Sequence, residues 1–347
     1  MTANTESKAS FSGILLIAPF FLWGTAMVAM KGVIPNTTPL FMAGVRLFPA
    51  GILVLIVAYL MGRKQPNSWQ GWLWISLFGL IDGTLFQGFL AEGLVRTTAG
   101  LGSVMIDSQP LAVAVLSVWL FKEKIGYIGG LGLGLGVCGI SLIGLPDEWI
   151  YHIIDGTIVN TGLQWEQLFE HGEWLMLLAA LSMAVGTVMM PIVSKYTDPV
   201  VATGWHMILG GIPLFMASWL TESDQWVNLD LNNWSAVAYA TVFGSAISYG
   251  LFFYFASSGN LTSLSSLTFL TPVFALLFGN LFLAESLNNI QWIGVGLTLI
   301  SIYLINQREI IAQNLQQKSA ILNLADNKSN LVPEQVKLTK SENLIAK

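Results

Sequence analysis

Apolar stretches of membrane-spanning length recur so densely along this chain that little else is left over. A bilayer core calls for roughly 20 consecutive apolar residues per helix. Ten windows meet that demand: 12–34, 39–61, 71–93, 99–121, 125–145, 173–194, 199–220, 234–256, 261–283 and 288–306. Charged residues make up only 10% of the sequence, against about 25% in an ordinary soluble domain. The windows are continuously apolar and do not alternate, which argues for helices that satisfy their own backbone in lipid and against a spanning barrel. The expected fold is therefore all-α and integral to the membrane, with ten transmembrane helices.

The N-terminal "MTANTESKAS" is short, polar and singly basic, unlike a cleaved signal or an Arg-rich transit peptide, so the first window reads as a retained span. Basic residues orient the bundle, because Lys and Arg collect in short cytoplasmic loops. With both termini inside, Lys8, Arg63, Lys64, Lys122, Lys124, Lys195 and Arg308 fall on the cytoplasmic face, and only Lys31 and Arg96 fall outside. The longest loop, 146–172, carries no Lys or Arg and reads as exported, whereas the polar tail 307–347 reads as cytoplasmic and disordered beyond a short helical extension. The expected location is a bacterial inner membrane. One cysteine, Cys138, excludes an intramolecular disulfide, and the absence of Cys/His metal spacing leaves no metal or other cofactor to expect. No basic nucleic-acid footprint is present.

The sequence repeats itself. Pro110 and Pro272 stand 162 residues apart, as do Glu123 and Glu285, Ser103 and Ser265, and Gly132 and Gly294. "GTAMV" at Gly24 meets "GTVMM" at Gly186 with the same spacing, and Pro39, Gly44 and Gly51 meet Pro199, Gly204 and Gly211 at 160. Two copies of five spans each, 12–145 and 173–306, imply that the second enters the membrane from the opposite side. Inverted repeats of that kind place a substrate site between them near the midplane. They are also compatible with a homodimer.

The proline-then-glutamate pattern, "DSQPLAVAVLSVWLFKEKI" with Pro110 and Glu123 and "TFLTPVFALLFGNLFLAESL" with Pro272 and Glu285, resembles the EamA-type permeases of the drug/metabolite transporter superfamily. The resemblance covers residues 12–306. It implies ten helices in two five-helix repeats, marks Glu123 and Glu285 as family-signature helix-end acids, and implies export of a small organic metabolite amid membrane lipids.

Away from the window ends, few ionisable groups lie within the hydrocarbon region: Asp82, Asp107, Arg46 and His206. A carboxylate at mid-membrane costs about 2.5 to 3.5 kcal/mol on insertion scales, so such a group needs a partner or a wet cavity. Asp107, Gln109, Asp82, Arg46 and His206 are the candidates for substrate binding or proton coupling, with Trp23 and Tyr249 as aromatic walls. A plain structural pair of Arg46 with Asp107 or Asp82 is the competing account. Pro110 and Pro272 lack an N–H and are expected to kink their helices. Gly132 and Gly136, in G-x-x-x-G spacing, read as a helix-packing face and not as a phosphate loop.

A nucleotide-binding loop is missing, so a proton or solute gradient is the expected energy source and the chain is expected not to be an enzyme. The alternative from another class is an intramembrane enzyme acting on lipid or peptide, but neither G-x-S-x-G nor H-E-x-x-H occurs.

Overall fold

The computed structural model describes residues 2–96, 105–144, 173–257, 260–283 and 288–314, and all regular structure among them is helical. The helices are α1 (Thr2–Lys31), α2 (Pro39–Leu60), α3 (Trp69–Arg96), α4 (Gln109–Phe121), α5 (Gly126–Gly144), α6 (Glu173–Val193), α7 (Pro199–Thr221), α8 (Leu231–Ala256), α9 (261–283) and α10 (Asn289–Asn314). By length and composition, α2, α3, α5, α6, α7, α8 and α10 can each cross a membrane. The apolar parts of α1, α4 and α9 are shorter, 14–30, 109–121 and 261–275. The loop 146–172, the polar tail from residue 315 onward and Glu285 lie outside the described residues, while residues 307–314 of that tail continue α10.

Capping fixes many helix starts. Ser68 Oγ accepts from Gly71 N for α3, Asp198 Oδ1 from Val200 N for α7, Asp230 Oδ1 from Asn233 N for α8, and Asn260 Oδ1 from Ser263 N for α9. At α10, Asn288 and Gln291 exchange side-chain and backbone hydrogen bonds as a capping box. The first turn of α2 is capped differently. Glu222, just past the end of α7, accepts from Leu40 N at 2.8 Å, Phe41 N at 3.0 Å and Thr38 Oγ1 at 2.7 Å. A carboxylate from one half thus satisfies orphan N–H groups of the other, and its charge complements the positive end of α2.

Among the described residues, helices α2 and α7 share the most extensive contact. A Cβ on Gly44 would meet the Phe215 ring and one on Gly204 the Leu55 side chain, whereas Gly51 faces Ile208 and Gly211 faces Phe48. Phe215 lies 160 residues after Leu55, and Ile208 lies 160 after Phe48, so the glycines that repeat in sequence are met by residues that repeat with the same offset. The wider packing follows suit: α3 lies on α7 as α8 lies on α2, α6 on α3 as α1 on α8, and α6 on α4 as α1 on α9. Gly132 and Gly136 pack against Ile305 and Ser301 of α10, where Ser301 Oγ donates to Gly132 O at 2.6 Å.

Both α3 and α8 contain a π-helical segment, Gly79–Phe86 and Ala240–Ile247, at matching places 161 residues apart. Each inserts a residue and turns the helix face that follows. In α3 the segment lies backbone to backbone on α7, where a Cβ on Gly83 would sit 2.8 Å from both Gly210 Cα and His206 O. Neither contact can swing away, so Gly83→Ala is expected to destabilise the protein by about 1 to 3 kcal/mol. A lower thermal unfolding temperature in detergent checks it, and an unchanged one contradicts the close approach.

Candidate functional site

The π segment of α3 puts Asp82 on the face of the helix that meets α6 and α7. The carboxylate is 1% exposed, and it fits only because position 186 is glycine: a Cβ there would lie 2.7 Å from Asp82 Cβ. His206 of α7, also 1% exposed, brings Nε2 to 3.2 Å from Asp82 Oδ2, an ion-pair distance off the line of a good hydrogen bond. Phe78 stacks on the imidazole at 4.2 Å and Phe253 meets it edge-on at 5.4 Å.

The other ring nitrogen decides where a proton sits. Nδ1 lies 2.6 Å from Thr203 O, and a carbonyl oxygen can only accept, so Nδ1 carries a hydrogen. In a neutral ring that leaves Nε2 as a bare lone pair facing a carboxylate. The contact is attractive only when one further proton is present, as imidazolium with carboxylate or as imidazole with carboxylic acid. With that proton in place the pair is neutral overall, which suits an apolar interior.

A second polar chain runs beside it. Arg46 of α2 donates from Nη2 to Gln87 Oε1 at 3.0 Å, and Gln87 Nε2 donates to the Tyr249 hydroxyl at 2.9 Å. The Tyr249 ring stands 5.1 Å from the Trp23 ring, which also meets Phe20 and Phe252. Gln109, in the first turn of α4, donates to Thr187 Oγ1 at 3.2 Å across the halves, and Thr187 donates to Met183 O. Asp107 is buried in the turn at 107–108 before α4. Pro110 follows in the first turn of α4, and Pro272 follows a 3₁₀ turn at Leu267–Phe269, so both helices are irregular just before their prolines.

Of the residues singled out in the sequence, Asp82 and His206 meet directly, and Arg46, Tyr249 and Trp23 are joined through Gln87. The expected alternative of an Arg46–Asp82 ion pair is not formed: His206 takes the carboxylate and Gln87 takes the guanidinium. Gln87 and Thr203 are additions from the structure, and Gly186 and Thr187, which the sequence offered only as part of the repeat, join the site with them. Glu123 lies apart from this cluster, at the end of α4, and binds Arg308 of α10 at 2.7 Å. No group of side chains suited to a metal ion occurs among the described residues. An apolar groove of about 520 Å³ along Trp174, Leu177, Leu178 and Leu181 lies on α6 and includes none of the cluster.

With this geometry established, comparison with known proteins locates the chain. The sequence model of the EamA-like transporter family matches residues 10–145 and again residues 171–307. The chain belongs to that family. Like other EamA-like proteins it is a multi-pass membrane transporter. It is 67% identical over 311 residues to an uncharacterized transporter of Synechocystis sp., covering 88% of this chain and 93% of that one. A WAT1-related chloroplastic protein of Arabidopsis thaliana is 51% identical over 296 residues, 84% of this chain and 68% of that one. The uncharacterized inner membrane transporter YedA of Escherichia coli is 26% identical, over 88% of this chain and 96% of its own. One solved structure superposes with a TM-score of 0.71 at 16% identity, covering 88% of this chain and 99% of that one, and shares the fold. The Synechocystis and Escherichia coli relatives are named as transporters, and the intramembrane-enzyme alternative is not favoured.

Proposed function

We propose that this EamA-like protein is a secondary transporter that exports a small organic metabolite from a bacterial cell by alternating access, and that Asp82 and His206 carry the coupling proton. Ten spans in two inverted halves, 12–145 and 173–306, form the moving parts, with both termini cytoplasmic. The reciprocal packing of α3 on α7 and α8 on α2, and π segments at matching places, support that symmetry.

The observation that carries the reading is the Asp82–His206 contact. Its carboxylate belongs to one half and its imidazole to the other, 3.2 Å apart, and with Nδ1 donating to Thr203 O a further proton on the pair is what makes the contact attractive. If one half rocks against the other and water enters, the carboxylate and imidazole separate into a polar surrounding and the proton can leave. Re-closure then requires a proton again. Exchange of that proton against substrate lets a gradient drive export without nucleotide hydrolysis.

Metabolite profiling of culture medium from deletion and overexpression strains tests the export reading. The expected result is at least one small organic compound that rises in the medium on overexpression and falls on deletion. An identical profile in both strains would contradict it.

A further inference from the structure

Resting on the transport reading above, we propose that Arg46 is the recognition point for the negative charge of the substrate, and that the site takes an organic monoanion whose carboxylate joins Arg46 and whose apolar body lies against Trp23. Arg46 lies within the apolar stretch of α2 and is in none of the ion pairs found among the described residues, which join Arg63 to Asp198, Arg96 to Glu92, His206 to Asp82 and Arg308 to Glu123. Among the described residues its one hydrogen-bond partner is the neutral Gln87 side chain. Its Nε is buried and meets no acceptor. A guanidinium in a low-dielectric interior is costly unless a negative charge compensates it. Asp82 does not serve, being engaged with His206 in a pair that is neutral with its proton.

A second unsatisfied donor stands in the same chain of contacts. Trp23 Nε1 is buried without a partner, and its ring packs on Tyr249, whose hydroxyl accepts from the Gln87 that holds Arg46. Two buried donors without acceptors call for a ligand that brings acceptors, and the cation among them calls for one that brings negative charge. A carboxylate does both. One guanidinium matches a single charge, and the surrounding rings of Trp23, Phe20 and Phe252 suit an apolar or aromatic body.

Thermal unfolding of the full chain in detergent, with benzoate as probe and benzamide and benzylamine as its neutral and cationic counterparts, tests the proposal. Benzoate is expected to raise the unfolding temperature saturably, and the two counterparts are not. Gln87→Glu supplies Arg46 with an internal counterion, and the Tyr249 hydroxyl can turn to donate to it, so the protein should fold yet bind benzoate about tenfold to 100-fold more weakly. Trp23→Phe keeps the ring and removes the donor, and is expected to weaken binding by about two- to tenfold. Stabilisation by benzamide or benzylamine equal to that by benzoate, no shift with benzoate, or undiminished benzoate binding by Gln87→Glu would overturn the anion site. Transport failing while benzoate still binds counts against the transport reading alone, and transport without anion binding counts against this site alone.

Discussion

Asp82→Asn is expected to uncouple transport from a pH gradient while leaving the protein folded. The amide has the size of the carboxylate, and its N–H can donate to the bare Nε2 of a neutral His206, whose Nδ1 hydrogen stays on Thr203 O. Polar satisfaction survives and the bound proton does not. In right-side-out vesicles, acid outside should therefore speed efflux of the exported compound from the wild type and have no effect on the variant. Efflux by the variant that still follows the gradient would remove Asp82 from the coupling. His206→Ala has a different effect, since it strands a carboxylate that is 1% exposed. Breaking a buried pair by deleting one partner costs about 3 to 5 kcal/mol, so that variant is expected to be severely destabilised.

The second large effect concerns Glu123 and lies away from the cluster. Arg308 is 3% exposed, Glu123 is 14% exposed, and their contact at 2.7 Å ties the end of α4 to α10. Arg308 also donates to Ser263 Oγ at the start of α9 and to Ile305 O. With the glutamate gone, a buried guanidinium keeps only neutral acceptors. Glu123→Leu is expected to lower stability by about 3 to 5 kcal/mol. The double variant Glu123→Leu with Arg308→Met removes both charges and should recover most of that loss. Unfolding temperatures of the single and double variants check both statements, and a single variant as stable as the wild type would show that the pair contributes nothing. An acid marked by the proline-then-glutamate pattern thus has a packing reason: it fastens the two halves at one face of the bundle.

Much of this arrangement could be read from the chain itself. The apolar windows at 39–61, 173–194 and 261–283 match α2, α6 and α9 to within a residue, because lipid demands uninterrupted apolar length and residues such as Asp198 and Asn260 punctuate it. Asp82, Arg46 and His206 stood out as rare charges in apolar surroundings. Their pairing was not legible. Helical spacing alone cannot register the inserted residue of the π segment, which re-aims the rest of α3, nor the approach at Gly83 and Gly210 that brings α3 onto α7. Gln87, Thr187 and Thr203 are neutral and common in helices, so composition gives them no signal. Glu222 did not stand out in the sequence and Arg308 did so only as a basic residue on the cytoplasmic side, because their partners lie 182 and 185 residues away. No local pattern encodes such a distance.

Two-sided access to the cluster is the central requirement, and one labelling measurement tests it without knowledge of the substrate. Thr187, fully buried and hydrogen-bonded to Gln109, lies between the halves. In a Cys138→Ser background, Thr187→Cys provides a single thiol there. Alternating access predicts reaction with a membrane-impermeant maleimide in right-side-out and in inverted vesicles alike. Labelling from one face only, or from neither, would contradict it.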